Sequence, residues 1–381
     1  MKKFWGKNKK ILKFIFFLLV VFQTGLLFLD WLSPKIITRR EGFNYVDLFG
    51  RNPDFLLNRA NFDGIHYLSI AKNGYGLHQQ AFFPLYPELI KILTPFFGGK
   101  DLVTGIFISL FCSLAFLFLF YKLILLDYQE STVRYSLIFL LFFPTSFFFG
   151  MVYTESLFLM LVLGCFLAAR KKKWLAAGLL GAFASYTRLV GVFLFPAILY
   201  EWWQAKETRN WKLEIRNLLF LFLIPAGLLK YMYFLWQKYN DPLMFFHVQP
   251  FFGAQRSGNK IILLYQVFWR YWKMILTTKW DPLYFAVWLE LLVALAVLAV
   301  FLLAYKRGIR ASYLIFYGLA YLTPTLTGTF SSLPRYTLVL FPFFIYLGTI
   351  KNEFLKKGLL VLFVILFMFC TILFFRGWWI A

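Results

Sequence analysis

Apolar runs of about twenty residues alternate with short polar connectors along almost the whole chain, a pattern that predicts membrane-crossing helices. The first run covers residues 10–32. A polar segment, 33–80, follows it. Residues 81–97 are apolar again, but Pro84, Pro87 and Pro95 interrupt them and Glu88 and Lys91 charge them. They read as an interfacial or re-entrant helix, because proline disrupts a helix interior. Further spans are expected at 102–126, 133–149, 156–169, 218–236, 283–304, 313–328, 338–350 and 358–375. Residues 174–203 read as two short spans meeting near Thr187-Arg188. One long span would strand the basic loop 206–216 on the wrong side and put an arginine in mid-membrane. The total is about eleven spans in one integral-membrane domain, 1–381. Residues 33–100 form the first outer loop and 237–282 the second, with interfacial helices expected in both. Lipid offers the backbone no hydrogen-bond partners, so the fold class is all-α and polytopic.

Composition agrees. The chain is 61% hydrophobic and holds 51 phenylalanines, which excludes an ordinary soluble domain. Its formal charge of +23 would suggest nucleic acid in a soluble protein. Here the charge sits largely in short connectors, where lysine and arginine mark the cytoplasmic side, and no nucleic-acid partner is expected. Cys112, Cys165 and Cys370 all lie in apolar runs without CxxC spacing and read as core residues. The basic start, MKKFWGKNKK, precedes a long apolar run with no small-residue cleavage site after it, so a retained first helix is expected.

Counting spans from a cytoplasmic N-terminus puts every short basic loop inside. The polar spots around Asp63, Glu155, Arg188, His247 and Arg335 then all fall on the outer face. Asp63 stands out, in the stretch NFDGIHYLSIAKNG. It heads an apolar-periodic segment expected to form a short surface helix, where a carboxylate suits the helix N-terminus. Two readings stay open, a helix-capping aspartate and a general base that takes a proton from an attacking hydroxyl. Asp47 and Asp54 are weaker rivals. His66 and His247 could assist an anionic leaving group or be interfacial aromatics with a wet tip. Glu155, beside Tyr153 and Thr154 at a hairpin tip, reads equally as a helix start or as a group that orients substrate hydroxyls. Arg188 and Arg335 match phosphate, since guanidinium presents a planar fork of donors. The alternative is that they snorkel to the interface. Tyr67 and Tyr86 join the candidate substrate-binding set. Arg256, Lys260 and Arg270 read as solvated charge, and His78 as a loop residue. No HExxH, Walker A loop, GxGxxG, GxSxG or DxD motif occurs. No cofactor is expected, and metal dependence is left open.

Several stretches together carry a family likeness. NFDGIHYLSIAKNGY with FFPLYP, FPTSFFFGMVYTESLFL, SYTRLVGVFLFP, NDPLMFFHVQ and LPRYTLVLFPFF occur in that order over residues 58–350. This ordered set resembles the PIG-V-like family, which adds the second mannose in glycosylphosphatidylinositol synthesis, and its bacterial relatives. Phe62 stands where the family pattern leads one to expect Trp.

The resemblance implies a GT-C glycosyltransferase with its catalytic carboxylate in the first extracytoplasmic loop and a polyprenyl-phosphate sugar as donor. In that picture Asp63 is the base and the acceptor hydroxyl attacks the anomeric carbon with inversion. Arg188, Arg335 and His247 then hold the leaving phosphate. Mannose as the sugar comes from the resemblance alone. The acceptor, a lipid, glycan or protein, is left open. Short loops point to a bacterial cytoplasmic membrane. A transporter or flippase of a lipid-linked anionic glycoconjugate is the alternative, and an inactive accessory subunit a third reading. One-sided polar residues and the lack of a visible repeat count against transport.

Overall fold

The computed structural model describes residues 2–41, 43, 52–205 and 211–381. Asp47 and part of the loop 206–216 lie outside the described residues. All regular structure among the described residues is helical. The chain opens with α1 (Lys2–Ile36), followed by α2 (Asp54–Leu57), α3 (Asp63–Asn73) and α4 (Leu85–Leu93) in the first polar segment and its proline-broken extension. Next come α5 (Asp101–Ile124), α6 (Glu130–Leu141), α7 (Glu155–Arg170), α8 (Trp174–Thr187), α9 (Leu194–Ala205), α10 (Trp211–Leu221) and α11 (Leu223–Tyr239). The second polar segment carries α12 (Met244–His247) and α13 (Leu264–Thr277). The chain closes with α14 (Pro282–Lys306), α15 (Ala311–Thr325), α16 (Leu333–Thr337), α17 (Phe341–Gly348) and α18 (Glu353–Phe375).

Five helical stretches among the described residues are long and apolar enough to cross a membrane: Lys9–Ile36, Asp101–Ile124, Glu214–Tyr239, Pro282–Lys306 and Glu353–Phe375. Several of the other expected spans are shorter helices. Pro144 follows α6, and the chain turns through a 3-10 stretch, Ser146–Gly150, before α7 begins. Likewise α8 stops at Thr187 because Arg188 is extended (φ −155°, ψ 147°), and a 3-10 turn leads into α9. The break thus falls at the expected place. Every residue of α7 except Met160 and Arg170 is buried, so this helix is core on all sides. It packs on α5 and α8, and α8 packs on α11. The last contact is close because it is made by glycine. A Cβ at Gly227 would lie 2.0 Å from the Ala182 carbonyl oxygen.

The bundle has two chemically distinct ends. At one end Arg170 holds Asp127 with both terminal nitrogens (2.6 and 2.7 Å) and donates to Tyr313 Oη (2.8 Å). Arg307 donates to the Thr349 carbonyl (2.8 Å), Arg310 and Ser312 bind Glu201 of α9, and Lys356 pairs with Glu353 (2.6 Å). The basic connectors after α7, α14 and α17 therefore meet. At the opposite end the starts of α3 and α7, the break at Arg188, α16 and the C-terminal aromatics converge.

Candidate active site

Asp63 is the first residue of α3, and the N-cap position before it is held by Phe62, which has no side chain that can cap. The residue before it, Phe62, has φ 59° and ψ −115°, a conformation that a bulky side chain rarely adopts. Packing holds it there. The Phe62 ring lies 5.0 Å from Phe43, 5.6 Å from Phe374 and 4.9 Å from Trp379. Tyr153 Oη brackets the strained residue, donating to the Asn61 carbonyl (2.7 Å) and accepting from the Asp63 backbone N–H (3.2 Å). Asn61 Nδ2 donates to the Phe374 carbonyl (2.9 Å), tying the turn to α18.

The Asp63 carboxylate meets Arg335 from the α16 turn, Nη1 to Oδ2 at 2.5 Å. Arg335 Nε is 3.5 Å from Glu155 Oε1, and the same oxygen takes Arg188 Nη1 at 2.8 Å. Asp63, Arg335, Glu155 and Arg188 thus form a continuous chain of alternating charge. Glu155 opens α7, where the helix dipole favours a carboxylate. Its side chain is only 1% exposed, and its ion-pair partners are the two arginines. Glu155 Oε2 and Arg335 Nε are buried with no hydrogen-bond partner among the described residues. The Arg335 guanidinium also lies 5.2–5.5 Å from the ring centres of Phe148, Tyr153, Tyr336 and Trp379. Burial works against its charge, but Asp63 foremost among its neighbours holds its pKa well above the usual arginine value.

This chain of charge lines a cavity of about 660 Å³. Asp63, His66, Tyr67, Glu155, Arg188 and Arg335 all face the cavity, and Phe82, Phe245, Phe246 and Phe252 give it aromatic walls. Burial lowers the His66 pKa, only partly opposed by Asp63. Gln79 Oε1 accepts from the Gly76 N–H (2.9 Å), which turns Gln79 Nε2 toward His66 Nδ1 (3.3 Å). A neutral His66 then carries its proton on Nε2. Its ring stacks on Phe82 at 4.9 Å. Among the described residues no three His, Cys, Asp or Glu side chains come together.

A family model described as Mannosyltransferase (PIG-V) matches residues 50–241, half of the chain. The chain belongs to the PIG-V mannosyltransferase family. A curated relative, GPI mannosyltransferase 2 from Schizosaccharomyces pombe (strain 972 / ATCC 24843), is 33% identical over 141 residues. That stretch is 35% of this chain and 29% of the relative, so the match spans less than a third of the relative's length. The crystal structure of ArnT from Cupriavidus metallidurans bound to undecaprenyl phosphate superposes with a TM-score of 0.44 at 13% identity, over 94% of this chain and 76% of that one.

The part of the chain matched to the PIG-V mannosyltransferase family holds Asp63, His66, Tyr67, Glu155 and Arg188, while Arg335 lies beyond it. Three expected substrate-binding residues lie off the cavity wall. Tyr86 is fully buried, its hydroxyl bonded to the Gly105 carbonyl (2.9 Å) and Ser109 Oγ (2.7 Å). Tyr153 supports the Asp63 turn from behind. His247 is drawn away by Asp241 (Nδ1 to Oδ2, 2.8 Å), on the half-exposed side of α12. His78 stacks on Phe251 at 3.6 Å. Asp54 begins the exposed helix α2 and takes no part in the cavity.

Sequence reasoning missed two residues. Trp379, close to the C-terminus, reaches the cavity and cages Arg335. Arg256 was expected to be solvated charge but lines the cavity, donating to the Ser331 carbonyl (3.1 Å) and Ser332 Oγ (3.2 Å). The aromatic-rich second polar segment around it was the available signal. Arg270, from the same segment, ties backbone together instead, donating to the Gly328 and Ala254 carbonyls (both 2.9 Å).

Proposed function

We propose that this integral membrane protein transfers a hexosyl unit, mannose in keeping with its family, from a polyprenyl-phosphate donor to an acceptor hydroxyl. The acceptor is a lipid, glycan or protein, and Asp63 is the general base. The observation that carries this reading is the charged chain Asp63–Arg335–Glu155–Arg188 on one wall of a cavity large enough for a sugar phosphate. The unpartnered Glu155 Oε2 and Arg335 Nε favour a ligand that offers both donors and acceptors, as a sugar does.

The transfer balances as follows. The acceptor hydroxyl gives its proton to Asp63 while its oxygen bonds to the anomeric carbon from the face opposite the phosphate. The anomeric carbon–oxygen bond breaks, and its electron pair leaves with the phosphate. One negative charge therefore disappears at Asp63 as another appears on the phosphate. Arginines already in the cavity meet that new charge without reorganising solvent. Arg335, bonded to Asp63 before transfer, is freed as Asp63 becomes neutral.

The gathering of basic connectors at the end of the bundle away from Asp63 supports a cytoplasmic N-terminus and an extracytoplasmic site, by the preference of lysine and arginine for the inside. Short loops favour a bacterial cytoplasmic membrane. The test is purified Asp63→Asn in lipid nanodiscs, supplied with polyprenyl-phosphate mannose and candidate acceptors. Transfer should fall about 100- to 10,000-fold or more while the unfolding temperature is kept. Full activity in that variant would refute the base assignment. Movement of the donor across the bilayer without covalent transfer would favour transport instead.

A further inference from the structure

Three arginines and two carboxylates line the cavity. Its two carboxylates, Asp63 and Glu155, are each engaged by an arginine, Arg335 and Arg188, at 2.5 and 2.8 Å. Arg256 is the third arginine on the wall. Among the described residues no carboxylate lies within ion-pair distance of it. Its contacts, the Ser331 carbonyl and Ser332 Oγ, both use the single nitrogen Nη2. Among the described residues Nη1 and Nε make no hydrogen bond to protein, which leaves part of the guanidinium fork for a ligand. Glu290 of α14 lies behind this turn, accepts from the Tyr271 hydroxyl and is an electrostatic neighbour of Arg256, but it is not on the cavity wall and makes no ion pair with it.

The backbone around Arg256 is built to hold it. Gly253, Ala254 and Gln255 all have positive φ (75°, 53° and 47°), and two of them bear a Cβ. Such a run is costly and persists only when its surroundings impose it. Here Arg270 fixes the Ala254 carbonyl (2.9 Å), and the Ser257 N–H donates to the Thr327 carbonyl (2.8 Å). The strained bend therefore delivers Arg256 to the turn that carries Arg335. Tyr336 lies between the arginines, 5.1 Å from Arg188 and 5.2 Å from Arg335. Although burial opposes it, the arginines, Arg256 first, pull the Tyr336 phenol below its usual range.

We propose that Arg256 is the residue that receives the donor's phosphate, with Arg188 and Arg335 held to the carboxylates until transfer begins. The inference rests on the polyprenyl-phosphate reading above. Arg256 would bind a phosphate oxygen through the open edge of its fork, as guanidinium does.

The experiment measures binding of a short-chain polyprenyl phosphate, and of the matching polyprenol, to the full chain in nanodiscs. Arg256→Gln should weaken polyprenyl phosphate binding about 10- to 100-fold, the effect expected for a hydrogen bond to a charged group. Polyprenol binding should not change. Arg256→Lys keeps the charge but loses the fork and should fall in between. An unchanged unfolding temperature shows that the variants are folded. If Arg256→Gln binds polyprenyl phosphate as the wild type does, or loses polyprenol equally, the inference is overturned and the functional reading stands. If the wild-type protein neither binds polyprenyl phosphate nor transfers sugar from it, the functional reading fails and this inference with it.

Discussion

Removing one oxygen atom, in Tyr153→Phe, tests how the Asp63 carboxylate is aimed. The hydroxyl donates to the Asn61 carbonyl (2.7 Å) and accepts from the Asp63 N–H (3.2 Å), bridging the left-handed Phe62 between them. Leaving those groups unpaired in a buried site costs about 1–3 kcal/mol. The Phe62 conformation itself stores about 1–3 kcal/mol, which the bridge helps to hold. The two magnitudes are comparable, so the turn should relax once the bridge is gone. A shift of about 1 Å in a reacting group is enough to slow a reaction about 100-fold. The substituted ring keeps its neighbours, Phe148 at 4.7 Å and Tyr67 at 6.2 Å, so the effect cannot be assigned to lost packing. Steady-state transfer in nanodiscs should show kcat reduced about 10- to 100-fold, with a much smaller change in KM for the donor. Tyr86→Phe is the control. It also loses two buried hydrogen bonds, to the Gly105 carbonyl and Ser109 Oγ, but away from the Asp63 turn. It should lower the unfolding temperature and leave kcat within about twofold. If Tyr153→Phe keeps full kcat, or if both variants lose activity equally, the bridge does not position Asp63.

Two further predictions concern the histidines. His247 is paired with Asp241 outside the cavity, so His247→Ala should change kcat/KM by no more than about twofold; a loss above tenfold would return it to the site. Burial holds the His66 pKa below its ordinary value of 6.5, so the unfolded chain takes up a proton that the folded imidazole resists. Stability should be complete above that value and fall as pH drops through it. The unfolding temperature measured from pH 7.5 to 5.5 should decline more steeply for the wild type than for His66→Asn, and equal slopes would contradict the assignment.

What the sequence made legible follows from where the physical constraints act. The break at Arg188 could be read because two local rules agreed there. Basic loops must lie on one side, and an arginine must not sit in mid-membrane. The same rules grouped Asp63, Glu155, Arg188 and Arg335 at one end of the bundle. The pairing inside that group was not legible, because opposite charges far apart in the chain carry no mark of their partner. The sequence marks Arg335 as a candidate phosphate ligand but carries no sign of its ion pair with Asp63 at 2.5 Å. The pairing of His247 was hidden for a related reason. Its aspartate is six residues away, and only the turn of α12 brings the two side chains together. Span lengths were overestimated where apolar composition runs on through a turn. Phe142 and Phe143 look like continuing membrane helix, but α6 has already ended before Pro144.

The backbone strain was the least legible feature and the most informative about the site. Neither Phe62 nor the pair Ala254 and Gln255 carries a glycine or asparagine signal for positive φ, yet all three adopt it. Phe62 precedes Asp63, and Ala254-Gln255 precede Arg256. Each bend is held by a side chain from another element, Tyr153 of the α6–α7 connection in one case and Arg270 of α13 in the other. Costly backbone conformations thus precede two of the charged residues that line the one cavity, a pattern more common at functional sites than in ordinary core. The proposed base and the proposed phosphate-binding arginine thus each follow a backbone bend of the same kind.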